Sequence, residues 1–269
     1  MPGQNTPRVG CGMYAFTRRL QEAWLAWLSN LHPRLPAPYN EPFAISFLDH
    51  PEAYYHRNFL FGHTCGYPYI TRLHTTHDVL CTPEFNVRGS VGGRYSSWFV
   101  TRAGSDKTKL GEFRDSIAAI NTTDSNSGMN VLRYAVSRSA GSGPFFHRVI
   151  VSGSHLSSLK LVQKGDADIA AVDANTYYFA KSQGKIDERT LKIIGQSKYT
   201  MGLPFIIGKS LDLDRGLLVK VFNQALKTLP PGIRETLCIN RFIEVNHEDY
   251  LGIHDMKQEA ENRGYPRLL

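Results

Sequence analysis

Residues 117–130 read Ile117-Ala-Ala-Ile-Asn-Thr-Thr-Asp-Ser-Asn-Ser-Gly-Met-Asn130, and this stretch decides the fold. Ile117 to Ile120 is a short, wholly apolar run, as a strand buried on both faces requires. A polar segment of Asn, Thr, Asp and Ser interrupts it. Ser127-Gly128 then opens a helix that carries Met129, Leu132 and Ala135. A buried strand feeding a helix through a short polar turn is half of a parallel β-α-β unit.

The same alternation continues downstream. Val149-Ile-Val151 reads as a strand. His155 to Lys164 reads as a helix with Leu156, Leu159 and Val162 inward, and Gly165 stands where a C-terminal cap belongs. Ile169 to Val172 is a strand ending at Asp173, Ala174 to Ala180 a helix, and Leu191 to Ile194 another strand. Upstream, Tyr95 to Thr101 is strongly β-forming, and Leu110 and Phe113 suggest a helix. Alternation of this kind makes a mostly parallel sheet covered on both faces by helices.

The first hundred residues predict strands at Val9–Met13, Phe43–Leu48, Phe59–Phe61 and Val79–Cys81, the last stopped by Pro83. Phe16, Leu20, Trp24, Trp27, Leu28 and Leu31 recur at helical spacing, and Pro33, Pro36 and Pro38 end that helix. Its two tryptophans read as core. Gly62 to Pro68 reads as a glycine-rich turn. After Thr200 come one strand, Pro204–Ile207, and a long amphipathic helix on Leu218, Val221, Phe222, Ala225 and Leu229, closed by Pro230-Pro-Gly232. A final helix is predicted from Asp249 to Asn262. This C-terminal part has too little strand for a sheet of its own and is expected to complete the first lobe. The expected division is therefore 1–97 with 201–269, and 98–200, with crossings near 98 and 200.

Composition narrows the function classes. At 269 residues the chain can hold two cores. With 42% hydrophobic and 20% charged residues it has a soluble globular profile. No run approaches 18 apolar residues, so no membrane span is predicted, and contact with a membrane is peripheral at most. Met1 to Arg8 has no apolar core of the signal-peptide kind. The expected location is periplasmic if a leader was removed, and cytoplasmic otherwise. The net charge of +7 suits anionic partners. The Lys and Arg residues are scattered rather than clustered, which argues against nucleic acid. The four cysteines, Cys11, Cys65, Cys81 and Cys238, contain no C-x-x-C, so no zinc site is expected. They read either as buried small hydrophobes or as one disulfide with two spares. No cofactor is implied.

Three segments fall at carboxyl ends of predicted strands, where open α/β sheets bind ligands. In Asn121–Asn130, backbone N–H groups at a helix start lack intrahelical partners and form a ready anion site. Ser125 and Ser127 add hydroxyls beside Asn126, and Gly128 permits close backbone approach. In Ser152-Gly-Ser-His155, Ser154 opens a second helix beside the imidazole of His155. The third segment is Asp173. Each has a plainer reading, in which Ser or Asp simply caps a helix. A fourth segment, Thr64-Cys-Gly-Tyr-Pro68 with Met13-Tyr14, is a candidate opposing wall. Its plainer reading is a structural turn.

Taken together, Thr64-Cys-Gly-Tyr-Pro68, Asn121 through Gly128, and Gly153-Ser-His155 continuing to Gly165-Asp-Ala-Asp-Ile-Ala-Ala-Val-Asp173 resemble the phosphonate/phosphate binding proteins of ABC transporters, with the type 2 periplasmic-binding-protein fold. The resemblance covers roughly 9–208. It implies an α/β fold of two lobes, each a mostly parallel sheet flanked by helices, closing on a small oxyanion in the cleft between them. It implies contacts from Ser125, Asn126, Ser127, Gly128, Ser154, His155 and Asp173, with Tyr14, Thr64, Cys65 and Tyr67 opposite, and an ABC permease as partner. Asp173 beside an anion is unfavourable unless it meets a cation or orients His155, which fits an aminoalkyl-phosphonate. Two rivals remain on sequence alone. One is an enzyme using Cys65 as nucleophile with His155 and Asp173. The other is an oxyanion sensor.

Overall fold

Every residue of Phe59-Leu-Phe-Gly-His63 is buried, as a strand covered on both faces demands. The computed structural model describes residues 6–47, 51–139 and 143–268. The chain divides into two units, Met1–Asn86 with Met201–Asp249, and Val87–Thr200 with Tyr250–Leu269.

In the first unit six strands lie in the order Ile239–Glu244, His77–Phe85, Phe205–Gly208, Phe59–His63, Arg8–Gly10, Ala44–Ser46. The last three pair in parallel, and the other joins are antiparallel. In the second unit five strands lie in the order Leu191–Gln196, Ser97–Arg102, Ile169–Asp173, Ile117–Ile120, Arg148–Val151. Again the last three are parallel and the first two joins antiparallel. In both sheets the antiparallel strands are those next to a passage of the chain between units. Such a strand is not returned to its neighbour by a crossover helix, so its direction is free to reverse.

The core of the first unit is aromatic. Helix Arg18–Leu31 starts where Thr17 Oγ1 accepts the Leu20 N–H at 3.2 Å. It buries Leu20, Ala23, Trp24, Trp27, Leu28 and Leu31, one stripe of a 3.6-residue period. Trp27 lies 5.7 Å from Phe205, 5.0 Å from Phe222 and 5.0 Å from Phe242 between ring centroids. Phe205 also stacks on His63 at 4.4 Å. Both tryptophans are core, as their spacing predicts.

Four expectations are corrected. Pro83 does not stop its strand, which runs His77–Phe85. Pairing with Phe205–Gly208 reaches only Cys81, so Pro83 has a neighbour on one side alone, opposite Phe242, and its missing N–H breaks no ladder. The stretch read as a turn at Gly62–Pro68 is the end of a strand and the start of helix Gly66–Thr71. Pro68 sits in the first turn, where its nitrogen has no intrahelical duty. Ile239–Glu244, absent from the expected strands, is an edge strand whose burial does not alternate, because a register shift between Ile239 and Arg241 interrupts its pairing with His77–Phe85. Finally, helix Leu251–Asn262 belongs to the second unit, not the first. It packs on helix Val131–Ser139 and buries Ile253, Met256 and Ala260. The strand expected at Phe43–Leu48 is described as Ala44–Ser46, and Leu48 lies outside the described residues. No disulfide forms among the described residues. Cys11 and Cys81 are buried, and burial pushes both thiols up.

Because Phe205 contacts Trp24, Trp27, Phe61, His63, Phe222 and Phe242, Phe205→Ala is expected to cost about 3–5 kcal/mol. Urea unfolding of the variant beside the parent measures it.

Candidate functional site

The parallel strands Ile117–Ile120 and Arg148–Val151 end side by side, in register from Ile117↔Arg148 to Ile120↔Val151. Their following loops are tied together by backbone. The N–H groups of Ser152 and Gly153 donate to the carbonyls of Ile120 and Asn121 at 2.8 and 2.9 Å. Both loops lead into helical turns, so two helix N-termini share one edge of the sheet.

The first turn is wide. Residues Asn126–Asn130 form a single turn of π-helix before the α-helix Val131–Ser139. Ser125 caps it, its Oγ accepting the Gly128 N–H at 3.0 Å. The cap therefore falls two residues before the expected start at Ser127, and the wide turn accommodates the extra residues. Such π-turns concentrate at functional sites. Ser125, Asn126 and Ser127 are all buried. Gly128 is required by packing: a Cβ there would overlap the Asn121 Oδ1 atom, which is buried and accepts no hydrogen bond.

The second turn is capped by Ser154, whose Oγ accepts the Ser157 N–H at 3.1 Å. His155 is the first residue of helix His155–Lys164, and Gly165 closes that helix at φ 86° as expected. The His155 Nε2 atom lies 2.7 Å from Ser127 Oγ, and Ser127 Oγ lies 3.4 Å from Ser125 Oγ. Burial lowers the His155 pKa from 6.5 to about 4, partly opposed by the Ala171 carbonyl. The ring is neutral at pH 7, and its Nδ1 is buried without a formed hydrogen bond.

Asp173 ends strand Ile169–Asp173 on the same sheet and is buried. Its Oδ1 accepts the N–H groups of Asn175 and Thr176 at 2.7 and 3.0 Å, capping helix Ala174–Ser182. Such bonds satisfy a buried carboxylate locally, so Asp173 does not need a cationic ligand group.

Behind the turn lies a network that the sequence reading missed. Asn126 Nδ2 donates to Tyr95 OH and to Thr200 Oγ1, each at 3.0 Å. Asn130 Nδ2 donates to Asn126 Oδ1 and to the Ile253 carbonyl, each at 3.1 Å. Arg133 Nη2 donates to Asn130 Oδ1 at 3.0 Å, and its Nη1 to the Pro266 carbonyl at 2.9 Å. The spacing Asn126, Asn130, Arg133 puts three polar residues on one helix face, a signal that was available.

The first-unit candidates are described separately. Tyr14 is buried and holds a left-handed backbone, φ 59°, which is rare and strained for a tyrosine. Its ring meets Phe85 at 5.0 Å and His63 at 5.8 Å, edge to face. Thr64 is buried and its N–H donates to the Pro204 carbonyl at 2.9 Å. Cys65 is half-buried at the N-cap of helix Gly66–Thr71, with Tyr67 buried inside that helix. No group of three or more His, Cys, Asp or Glu able to hold a metal occurs among the described residues. Among them, too, no helix is long and apolar enough to cross a membrane.

Gly128→Ala is expected to destabilise the protein by about 1–3 kcal/mol. Asn121→Ala in the same chain should recover most of the loss, and a double-mutant cycle reads the coupling. Stability should also depend on pH. His155 and His63, the latter lowered by burial to about 3, both have folded pKa values below the unfolded 6.5. The unfolded chain therefore binds more protons as pH falls below 6.5. Their contribution is complete above that pH and is lost on acidification toward 4, by up to about 1.4 kcal/mol per pH unit for each group. His155→Gln should shallow the slope, read by urea midpoints between pH 4 and 7.

Comparison with known proteins adds three findings. No curated protein matches the chain. Among solved structures, a binding-protein component of an ABC phosphonate transporter from Pseudomonas aeruginosa superposes with TM-score 0.77 at 14% identity, covering 97% of this chain and 88% of that one. PhnD1 from Prochlorococcus marinus, in complex with methylphosphonate, gives 0.76 at 13% identity over 96% and 98%. A Xanthomonas citri protein bound to ATP gives 0.69 at 14% identity over 97% and 98%. These likenesses show the periplasmic-binding-protein fold. The sequence profile of one family, described as ABC transporter, phosphonate, periplasmic substrate-binding protein, matches residues 15–250, and the chain belongs to that family.

Proposed function

We propose that the second unit binds a small phosphonate or related oxyanion at Ser125–Gly128, with His155 setting the direction in which Ser127 donates, for uptake through an ABC permease. The family is one of substrate-binding proteins rather than enzymes, so the reading of Cys65 as a nucleophile is dropped. The family also supports the periplasm as the working compartment.

One observation carries the site assignment: the 2.7 Å contact of Ser127 Oγ with His155 Nε2, made where two helix N-termini meet. A hydroxyl has one hydrogen and a neutral imidazole has one N–H. The tautomer sets the direction: a proton on Nε2 donates to Ser127 and releases the Ser127 hydrogen toward an anion, as the proposed site uses, whereas a proton on Nδ1, favoured by the Ala171 carbonyl, leaves Nε2 to accept it. Ser125 Oγ already accepts the Gly128 N–H, so its hydrogen is also available to donate. Backbone N–H groups at the helix start add partial positive charge.

The capping role of Asp173 changes the expected ligand. A carboxylate with Oδ1 held by two backbone N–H groups leaves no demand for an amino group. Simple oxyanions such as methylphosphonate, phosphite and phosphate therefore fit as well as aminoalkyl-phosphonates. The methylphosphonate held by the Prochlorococcus relative supports that class. Asn126 and Ser154 act as supports of the two turns. For Tyr14, Thr64, Cys65 and Tyr67 a ligand role rests on the family resemblance, helped at Tyr14 by its strained backbone.

The test is calorimetric titration with methylphosphonate, phosphite, phosphate and sulfate. Ser127→Ala should weaken the best of them about tenfold to a hundredfold, since a hydrogen bond to a charged group is worth about 1.5–3 kcal/mol. Unchanged affinity in that variant would show the site to be misplaced.

A further inference from the structure

The side chain of Arg133 is 4% exposed. A cation buried to this degree is costly unless its surroundings compensate it. Among the described residues the compensation is incomplete. The Nε atom makes no hydrogen bond. Among the described residues its carboxylate partner is Glu261, 3.8 Å away and shared with Lys257 at 2.9 Å. Two carbonyl oxygens, from Asn130 and Pro266, take the remaining bonds.

A guanidinium only donates, so it fixes the direction of everything bonded to it. Asn130 must turn Oδ1 toward Arg133, and its two N–H bonds then go to Asn126 and to the Ile253 carbonyl. Asn126 must in turn present Oδ1 to Asn130, and its two N–H bonds go to Tyr95 and Thr200. All four amide N–H bonds are used and none can reverse. Chains of this kind polarise one another in a low-dielectric interior. Their sense runs from Arg133 through Asn130 and Asn126 to the hydroxyls of Tyr95 and Thr200, and Asn126, which immediately precedes Ser127, is fixed by it.

We propose that Arg133 is a positioning residue for oxyanion binding. Acting through Asn130 and Asn126, it locks the Ser125–Gly128 turn in place and lends it the positive potential of a nearby buried charge. Its anchor is the C-terminal segment, through Ile253 and Pro266. This rests on the assignment of the oxyanion to that turn. Arg133 does not itself touch the ligand.

The experiment titrates methylphosphonate and inorganic phosphate into the whole protein between pH 6 and 8.5, with thermal melts alongside. The parent should bind more tightly as each probe takes its second negative charge. Arg133→Met should bind at least tenfold more weakly at the high end and lose much of that pH dependence. Arg133→Lys, which keeps the charge but not the fork, should recover the pH dependence and part of the affinity. A strut without electrostatic influence would weaken both ionisation states alike, and that result, or parent-like binding by Arg133→Met, overturns the proposal. Should Arg133→Met fail to fold, Asn130→Asp decides. It keeps an acceptor for Arg133 but has no N–H for Asn126, and is expected to lose at least tenfold in affinity. Parent-like binding there also overturns the proposal. The two readings fail differently. A silent Ser127→Ala, or a parent that binds neither probe, removes the turn as the binding site and this inference with it. A weakened Ser127→Ala beside silent Arg133 and Asn130 variants removes this inference alone.

Discussion

The 2.7 Å contact between Ser127 Oγ and His155 Nε2 is the constraint on which the binding edge of the second unit depends. It requires that two loops, each following a parallel strand, hold their helix starts within one hydrogen bond of each other. The backbone satisfies that requirement before any side chain does, through the bonds of Ser152 and Gly153 to Ile120 and Asn121. Parallel pairing from Ile117↔Arg148 to Ile120↔Val151 brings both strand ends to the same edge. The side chains then complete what the sheet has arranged.

Burial raises the stakes of that arrangement. Ser125, Asn126, Ser127 and Asn130 are all buried polar residues, and each would be costly if left without partners. The structure answers with connected bonds that leave little rotational freedom. Preorganised donors of this kind favour an anion, because the cost of orienting them has been met during folding. The neutral state of His155 belongs to the same logic. Burial keeps the ring uncharged at pH 7, so it acts on Ser127 through the placement of one proton rather than through a formal charge.

Much of this was legible in the sequence, for identifiable reasons. Ile117–Ile120 and His155–Lys164 were read to the residue, because a wholly apolar run and a Ser-opened, Gly-closed helix are strong local signals. The convergence of Ser127 and His155 followed from strand ends sharing an edge. The glycine was identified, but its reason was not. Gly128 answers to Asn121, a packing demand with no local signature. Asp173 caps its helix through Asn175 and Thr176, the plainer of the two readings its place before a helix offers in sequence. Pro83 was read as a stop because a proline's effect depends on which side of the strand has a neighbour, and that is a tertiary fact. The largest miss was the C-terminal helix, since nothing local says which of two cores a lone amphipathic helix will cover.

That miss has a mechanistic meaning. The second unit is built from two separate visits of the chain, and the network behind the turn joins them: Asn130 reaches the Ile253 carbonyl and Arg133 the Pro266 carbonyl. Arg133 stands one bond behind Asn130 and two behind Asn126, whose chain neighbours Ser125 and Ser127 carry the neutral hydroxyls. A protein that must hand its ligand on gains from this division. Neutral dipoles and backbone N–H groups can match an oxyanion's shape without the desolvated ion pair that makes release slow. On the proposed assignment, the buried charge set behind them biases the site toward anions as a class. On the same assignment, shape is left to the hydroxyls of Ser125 and Ser127, and charge to Arg133 behind them.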